Sequence, residues 1–355
     1  MGFKILAINP GSTSTKTALY EDDKPLFELT LRHSAEEIAR FATIIDQLEW
    51  RRDLILDALK EKNFDIKTLS AVIGRGGLVK PIESGVYAVN DALKHDLVNA
   101  KMHHASNLGG LIADQIAEAA GVKAYIADPV VVDEMIEEAR ISGLPECPRI
   151  SIFHALNQKA TARIYAKSQN RRYEEMNLVV VHLGGGISVS AHRQGRVIDT
   201  NNALNGDGPL APERAGGLPA SALVDLCFSG RYTQAELHKL LAGKGGMVAL
   251  MGTNSMLQIS QMMEAGDARA TLMLNAMCYN VAKEIGAMAT TMCGKVDAII
   301  VTGGIAHDKY VVEYLRERCS FIAPLAVYPG ENELESLSAN ALGVLRGEMT
   351  PKVYA

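Results

Sequence analysis

The sequence predicts an α/β protein built from a duplicated domain, with a nucleotide held in the cleft between the two copies. Three strand-to-glycine junctions predict it. In the first, Ile5-Leu6-Ala7-Ile8 passes through Asn9-Pro10 into Gly11-Ser12-Thr13-Ser14-Thr15-Lys16. Gly11 lets backbone approach an anion, while Ser12, Thr13, Ser14, Thr15 and Lys16 supply hydroxyl donors and one positive charge. Ala18-Leu19-Tyr20 returns as a strand, so the loop is a hairpin tip and not the helix-opening loop of triphosphate-binding proteins. In the second junction, Leu178-Val179-Val180-Val181-His182-Leu183 ends in Gly184-Gly185-Gly186, and Ile187-Ser188-Val189-Ser190-Ala191 alternates as the returning strand. In the third, Val296 to Thr302 ends in Gly303-Gly304-Ile305. One glycine turn can be chosen for its positive φ alone. Three such junctions, two of them hairpin tips in the two halves of the chain, imply two copies of one unit.

Composition permits this architecture. At 355 residues and 48% hydrophobic, the chain can bury a sizeable core and is long enough for two domains. A net charge of −5 gives no electrostatic reason to expect nucleic acid as a partner. No apolar stretch reaches the roughly 18 residues needed to span a bilayer, and the start lacks a signal-peptide pattern, so no membrane partner is expected. The five cysteines, Cys147, Cys227, Cys278, Cys293 and Cys319, form no C-x-x-C pair. An odd, unpatterned set predicts reduced thiols in the cytoplasm and no structural zinc.

Between the junctions, helix and strand alternate. Ser34-Ala35-Glu36-Glu37 is a capping-box start for an amphipathic helix through about Lys62, with Ile38, Phe41, Ile45 and Leu48 at helical spacing. Ala71-Val72-Ile73 is a strand closed by Gly74-Arg75-Gly76-Gly77, and Ala124 to Ala127 is another closed by Asp128-Pro129. Asn107 to Ala120 is a helix stopped by Gly121, and His154 to about Arg172 is the next. Ala268 to Cys293 is the longest helix and apolar on most faces, which predicts burial between domains. Its Met273–Met292 portion could equally face a second subunit, and a homo-oligomer of at least two copies is expected. Lys60 to Lys67 and Gln169 to Glu175 are charged connectors.

Polar residues at the strand ends are the candidates for chemistry. Asp128 follows an apolar run, where carboxylates face the ligand crevice of open α/β sheets or cap the next turn. Arg75, between glycines, can reach a carboxylate or phosphate in bidentate fashion, or simply be a surface arginine. His154 sits at a helix start, where position alone favours a structural histidine. Arg214 lies in the Gly/Pro-rich run Gly206 to Gly217, and long loops of that kind inside compact domains are usually functional.

Asn9-Pro10-Gly11-Ser12-Thr13-Ser14-Thr15-Lys16, His104-Ala105-Ser106-Asn107, Phe153-His154-Ala155-Leu156-Asn157-Gln158, His182-Leu183-Gly184-Gly185-Gly186 and Thr302-Gly303-Gly304-Ile305 together resemble the acetokinase family. The resemblance covers essentially the whole chain. It implies the duplicated ribonuclease-H-like fold of acetate and sugar kinases and actin-like ATPases, with residues 1–150 and a C-terminal helix at 335–355 forming one domain and 151–334 the other. It also implies reversible phosphoryl transfer between ATP and a short-chain fatty acid, giving ADP and an acyl phosphate, with magnesium. Asn9 and Glu333 match the metal positions, and oxygen donors with retained waters suit a metal shared with phosphates. Asp128 matches the acidic residue that orients the hydrated metal. His154 and Arg214 match the pair that stabilises the transferring phosphoryl group. His182 to Gly186 matches the second phosphate loop, and Gly303 and Gly304 the nucleotide-side turn.

Four departures from the family pattern bear on the substrate. Aligning the paired glycines puts Val72 where acetate kinases carry an arginine, so Arg75 is the candidate substitute. His104 matches a family histidine with one residue deleted, and His103 matches without a gap. Gln158 replaces a second histidine. Gly74 stands where acetate kinases carry a valine, which implies room beside the carboxylate, walled by Phe153, for acids of about four carbons. Two other readings stay open. A sugar kinase would use Asp128 or Asp207 as base, and an actin-like ATP switch would use the fold without catalysis. Arg75 and Arg214, in separate glycine loops, favour an anionic substrate, as would also suit acetate or propionate.

Overall fold

The computed structural model describes residues 2–100, 104–205 and 207–355. The chain divides into two compact units, Met1–Val132 with Asn332–Ala355, and Asp133–Glu331.

In the first unit, β1 (Lys4–Pro10), β2 (Ser14–Glu21) and β3 (Lys24–Arg32) form an antiparallel meander. β4 (Ala71–Arg75) returns parallel to β1, and β6 (Lys123–Ala127) lies parallel to β4, with the short β5 (Val86–Ala88) on its outer edge. The order is β3-β2-β1-β4-β6-β5. The second unit repeats the plan. β7 (Asn177–Leu183), β8 (Ile187–Arg193) and β9 (Arg196–Thr200) form the meander, and β10 (Ala298–Gly303) and β11 (Leu325–Pro329) add in parallel, in the order β11-β10-β7-β8-β9. Each sheet therefore contains three antiparallel strands with two parallel ones beyond the first, to which the first unit adds the antiparallel edge strand β5, and this shared plan is the duplication that the glycine junctions predict.

Parallel neighbours need crossovers, and helices supply them. Leu48–Glu61 links β3 to β4, Asn107–Ala120 links β4 to β6, and Lys309–Cys319 links β10 to β11. In the first unit, Leu6, Ile8 and Val72 pack with Ile55, Leu108, Ile112 and Ile116. In the second, Val179, Val181, Val189 and Val301 pack with Leu274, Met277 and Val281, while Leu178 and Val180 face Ala162 and Ala166 on the other side. A sheet covered on both faces requires continuous apolar strands, and β7 is one. The helix Asn107–Ala120 ends as predicted, with Gly121 at φ 79° in the left-handed cap.

Three expectations differ from the structure. The single helix from Ser34 to Lys62 is broken. The capping box at Ser34 and Glu37 is present, but its helix ends at Ile38, and a second reciprocal pair, Thr43 with Asp46, starts the next segment. Such side-chain bonds to backbone compete with helix continuation. The long helix, Ala268–Thr290, is apolar on one side only, and that side closes the core of the second unit itself. The second unit begins at Asp133, whereas the expected boundary lies near 150. Residues 133–150 are tied to β9, through Ile136 N–H to the carbonyl of Ile198 and through Arg149 to Asp199 and the Thr200 carbonyl. Asn332 onward belongs to the first unit, so Glu333 does too.

Candidate active site

The first unit presents a hairpin tip and a charged cluster. In the β1–β2 register Asn9 pairs with Lys16 and Pro10 with Thr15, and the Gly11 N–H donates to the Ser14 carbonyl at 2.7 Å. Strand alternation turns Thr15 and Thr17 inward and leaves Lys16, Ser12 and Thr13 exposed, with Ser14 half-buried. Beneath the tip lies Arg51, fully buried, a residue that sequence reasoning missed inside an apolar helical stripe. Its Nη1 donates to the Gly11 carbonyl (2.7 Å) and to Thr15 Oγ1 (3.1 Å), and its Nη2 to the Ser12 carbonyl (3.2 Å). Gln47 Oε1 accepts from Nε and Nη2. Burial pulls the Arg51 guanidinium down to about 10, so it still carries its charge at neutral pH. Burial and that charge hold His33, against Thr15, down to about 4.

Asn9, Arg75 and Glu333 come together from the ends of β1 and β4 and the start of the helix Glu333–Leu345. Arg75 Nη1 lies 3.3 Å from Asn9 Oδ1 and 3.2 Å from each carboxylate oxygen of Glu333. Asn9 Nδ2 donates to Glu333 Oε2. Asn9 Oδ1 and both Glu333 oxygens thus already converge on one positive charge. Asp128 is buried with φ 38°, a left-handed conformation held by hydrogen bonds from Ser84 Oγ (2.6 Å) and Gly85 N–H (2.8 Å) to its Oδ1. His104 is exposed, with Nδ1 2.7 Å from Ser106 Oγ, and His103 lies outside the described residues.

The reading of Gly74 as open space is corrected. A Cβ built there would sit 2.0 Å from the Gly109 carbonyl oxygen, and one at Gly109 would sit 2.2 Å from the Arg75 carbonyl oxygen. The two glycines let the helix Asn107–Ala120 lie directly on β4, and Gly74 is there for backbone contact.

The second unit gathers the other candidates. His154 caps the helix Ala155–Ser168 and stacks on His182, with ring centroids 3.8 Å apart and planes 10° from parallel. His154 Nδ1 lies 2.8 Å from Ser188 Oγ, and His182 Nδ1 lies 2.7 Å from Asn157 Oδ1. Asn157 Nδ2 donates to the Glu331 carbonyl at 2.9 Å. Phe153 is buried. At the β7–β8 tip, a Cβ at Gly184 would fall 3.0 Å from His182 Nε2, one at Gly185 3.3 Å from the Glu213 carboxylate, and one at Gly186 3.7 Å from the Arg214 side chain. Arg214 thus lies against the glycine tip, half-buried, with Nη1 donating to the Glu213 carbonyl at 3.1 Å. Gly303, at φ 92°, presses on Leu183 and exchanges backbone hydrogen bonds with Gly330. A cavity of about 640 Å³ opens beside these loops. Gly184, Gly185, Gly304 and Glu331 form one wall, and Met256, Leu257 and Ile305 supply apolar surface.

A pair of like-patterned sheets, each with a glycine hairpin, with an arginine–glutamate–asparagine cluster in one unit and stacked histidines, an arginine and a nucleotide-sized cavity in the other, defines the class. The acetokinase family model matches residues 149–336, and the chain belongs to the acetokinase family. Within it, the chain is 54% identical over 355 residues to butyrate kinase 2 of Clostridium acetobutylicum, and 53% identical over 355 residues to a protein of Clostridium botulinum named "Probable butyrate kinase", covering 100% of both chains in each case. Its fold is that of Porphyromonas gingivalis acetate kinase, with a TM-score of 0.78 at 19% identity, over 96% of this chain and 99% of that one.

Proposed function

We propose that this chain transfers the terminal phosphoryl group of ATP, reversibly, to the carboxylate of butyrate or a similar short or branched acid. The full-length identity to relatives named for butyrate carries the reading. A carboxylate is already ionised at neutral pH, so its oxygen attacks the γ-phosphorus without a general base while the bond to the ADP oxygen breaks. The charge then spreads over three equatorial oxygens. His154 and Arg214 are the donors aimed at them, and both are already held, His154 by stacking on His182 and Arg214 by its hydrogen bond to the Glu213 carbonyl. The nucleotide occupies the cavity of the second unit, its phosphates along Gly184 to Gly186 with Gly303 and Gly304 behind the sugar.

Asn9 and Glu333 suit magnesium, which is held by few protein oxygens and keeps several waters. The ion would neutralise phosphate charge there. Arg75, now on those oxygens, is the group that turns to the substrate carboxylate, with His104 as a further contact. Asp128, pinned by Ser84 and Gly85, would orient the waters of such a metal. A cytoplasmic location belongs to the same reading and is supported by five free thiols. So does a homo-oligomer, supported by the exposed apolar side chains of Leu218, Val224 and Phe228. The reading is tested by trapping acyl phosphate with hydroxylamine, using ATP and acids from acetate to hexanoate. Acids of about four carbons should give the highest kcat/KM. No trapped product, or a maximum at acetate, overturns it.

A further inference from the structure

Behind His154 runs a chain of buried polar side chains that the phosphoryl chemistry does not use. Ser188 and Gln158 are fully buried, as is His192, and Tyr173 is nearly so. Gln158 Nε2 lies 2.7 Å from Ser188 Oγ and 3.1 Å from the Ser188 carbonyl oxygen. Gln158 Oε1 lies 3.0 Å from His192 Nε2, and His192 Nδ1 lies 2.7 Å from the Tyr173 hydroxyl.

The direction of every bond follows from one fixed point. A backbone carbonyl can only accept, so the end of the Gln158 amide beside the Ser188 carbonyl must be its NH₂ group. Gln158 Oε1 therefore faces His192 and accepts from His192 Nε2–H. Burial, with the positive charges of Lys159 and Arg163 nearby, keeps His192 well below its ordinary range and hence neutral. Its Nδ1 is then an acceptor, and the Tyr173 hydroxyl donates to it. On the other side, Ser188 Oγ accepts from Gln158 Nε2 and, at 3.4 Å, from the His154 backbone N–H. Both of its lone pairs are occupied. Its own proton is left to point at His154 Nδ1.

We infer that Gln158 and Ser188, backed by His192 and Tyr173, are positioning residues that hold His154 as the tautomer protonated on Nε2, so that it offers an N–H to the ligand side. The inference rests on the proposed role of His154 as a phosphoryl donor. A hydrogen-bond donor to a developing phosphoryl charge must present N–H, and a ring carrying its proton on Nδ1 would present a lone pair to the same oxygen. The asparagine-held His182 packs on the ring face and fixes its plane, while Ser188 fixes which nitrogen carries the proton. Gln158, which stands where a second histidine is found in the family pattern, is suited to this task because an amide has one end that only donates and one that only accepts.

The test is nitrogen-15 NMR of histidine-labelled protein at neutral pH, with the His154 signals assigned by their loss in His154→Gln. Nε2 should be the protonated nitrogen and Nδ1 the bare one. Ser188→Ala should remove the preference and lower kcat on the order of tenfold, with KM for acid and for ATP within about twofold. Gln158→Glu should turn the Ser188 hydroxyl toward the new carboxylate and move the His154 proton to Nδ1. A wild-type spectrum with the proton on Nδ1, which requires no variant to fold, overturns the inference. So does Ser188→Ala with an unchanged spectrum and unchanged kcat. If instead His154→Ala keeps full turnover, the phosphoryl role falls, while the spectrum still decides the tautomer.

Discussion

Replacing His154 or Arg214 with alanine removes a donor that the proposed mechanism uses chiefly at the transition state. Each substitution should lower kcat by on the order of a hundredfold or more with the fold intact, because preorganised donors of this kind are worth several kcal/mol. A variant whose defect is confined to KM for the acid would show that its residue serves ground-state binding. Arg51 sets a different problem. It is a buried cation with no carboxylate partner among the described residues, balanced by the Gly11 and Ser12 carbonyls that it ties together. Its charge also lies under the proposed phosphate hairpin. Arg51→Met should cost about 2–4 kcal/mol of stability by orphaning those carbonyls, and raise KM for ATP. Urea denaturation and ATP saturation curves check the two effects separately. Arg51 was illegible in the sequence because one arginine inside a helical stripe looks like a solvated residue until the hairpin is known to lie on it.

At the scale of elements, the glycines of β4 and of the helix Asn107–Ala120 show how a plausible alignment argument can fail. Gly74 faces Gly109, not a ligand, and the nearest obstacle to a Cβ is backbone, which cannot rotate away. Gly74→Val should therefore cost more than about 4 kcal/mol and give insoluble or unfolded protein. A soluble Gly74→Val enzyme with a shifted acid preference would restore the pocket reading. The strands and hairpins themselves were legible, since β1 with β2 and β7 with β8 carry continuous or alternating apolar patterns closed by glycine. The break at residues 39–44 was not, because Phe41 keeps the helical spacing while packing on Trp50 from outside any regular helix.

On the scale of the whole molecule, the first unit is completed only when the chain returns at Asn332. The helix Glu333–Leu345 packs on β1 and β4 and buries Leu334, Leu337, Ala341 and Leu342. A chain ending at Gly330 should leave that side of the sheet bare, and limited proteolysis should cut the first unit while the second, whose own core is intact, resists. Equal resistance of both units would refute this dependence. By itself, the sequence determined the duplicated α/β plan, the hairpin tips and the identity of the polar groups at strand ends, because periodicity and glycine are local signals that a chain carries in order. Only the tertiary structure decided which of those groups meet. Asn9 reaches Glu333 across 324 positions of sequence, and Gln158 reaches Ser188 across 30, through packing that no local pattern encodes. Whether a glycine marks space for a ligand or space for backbone is decided in the same way, by what packing brings against it.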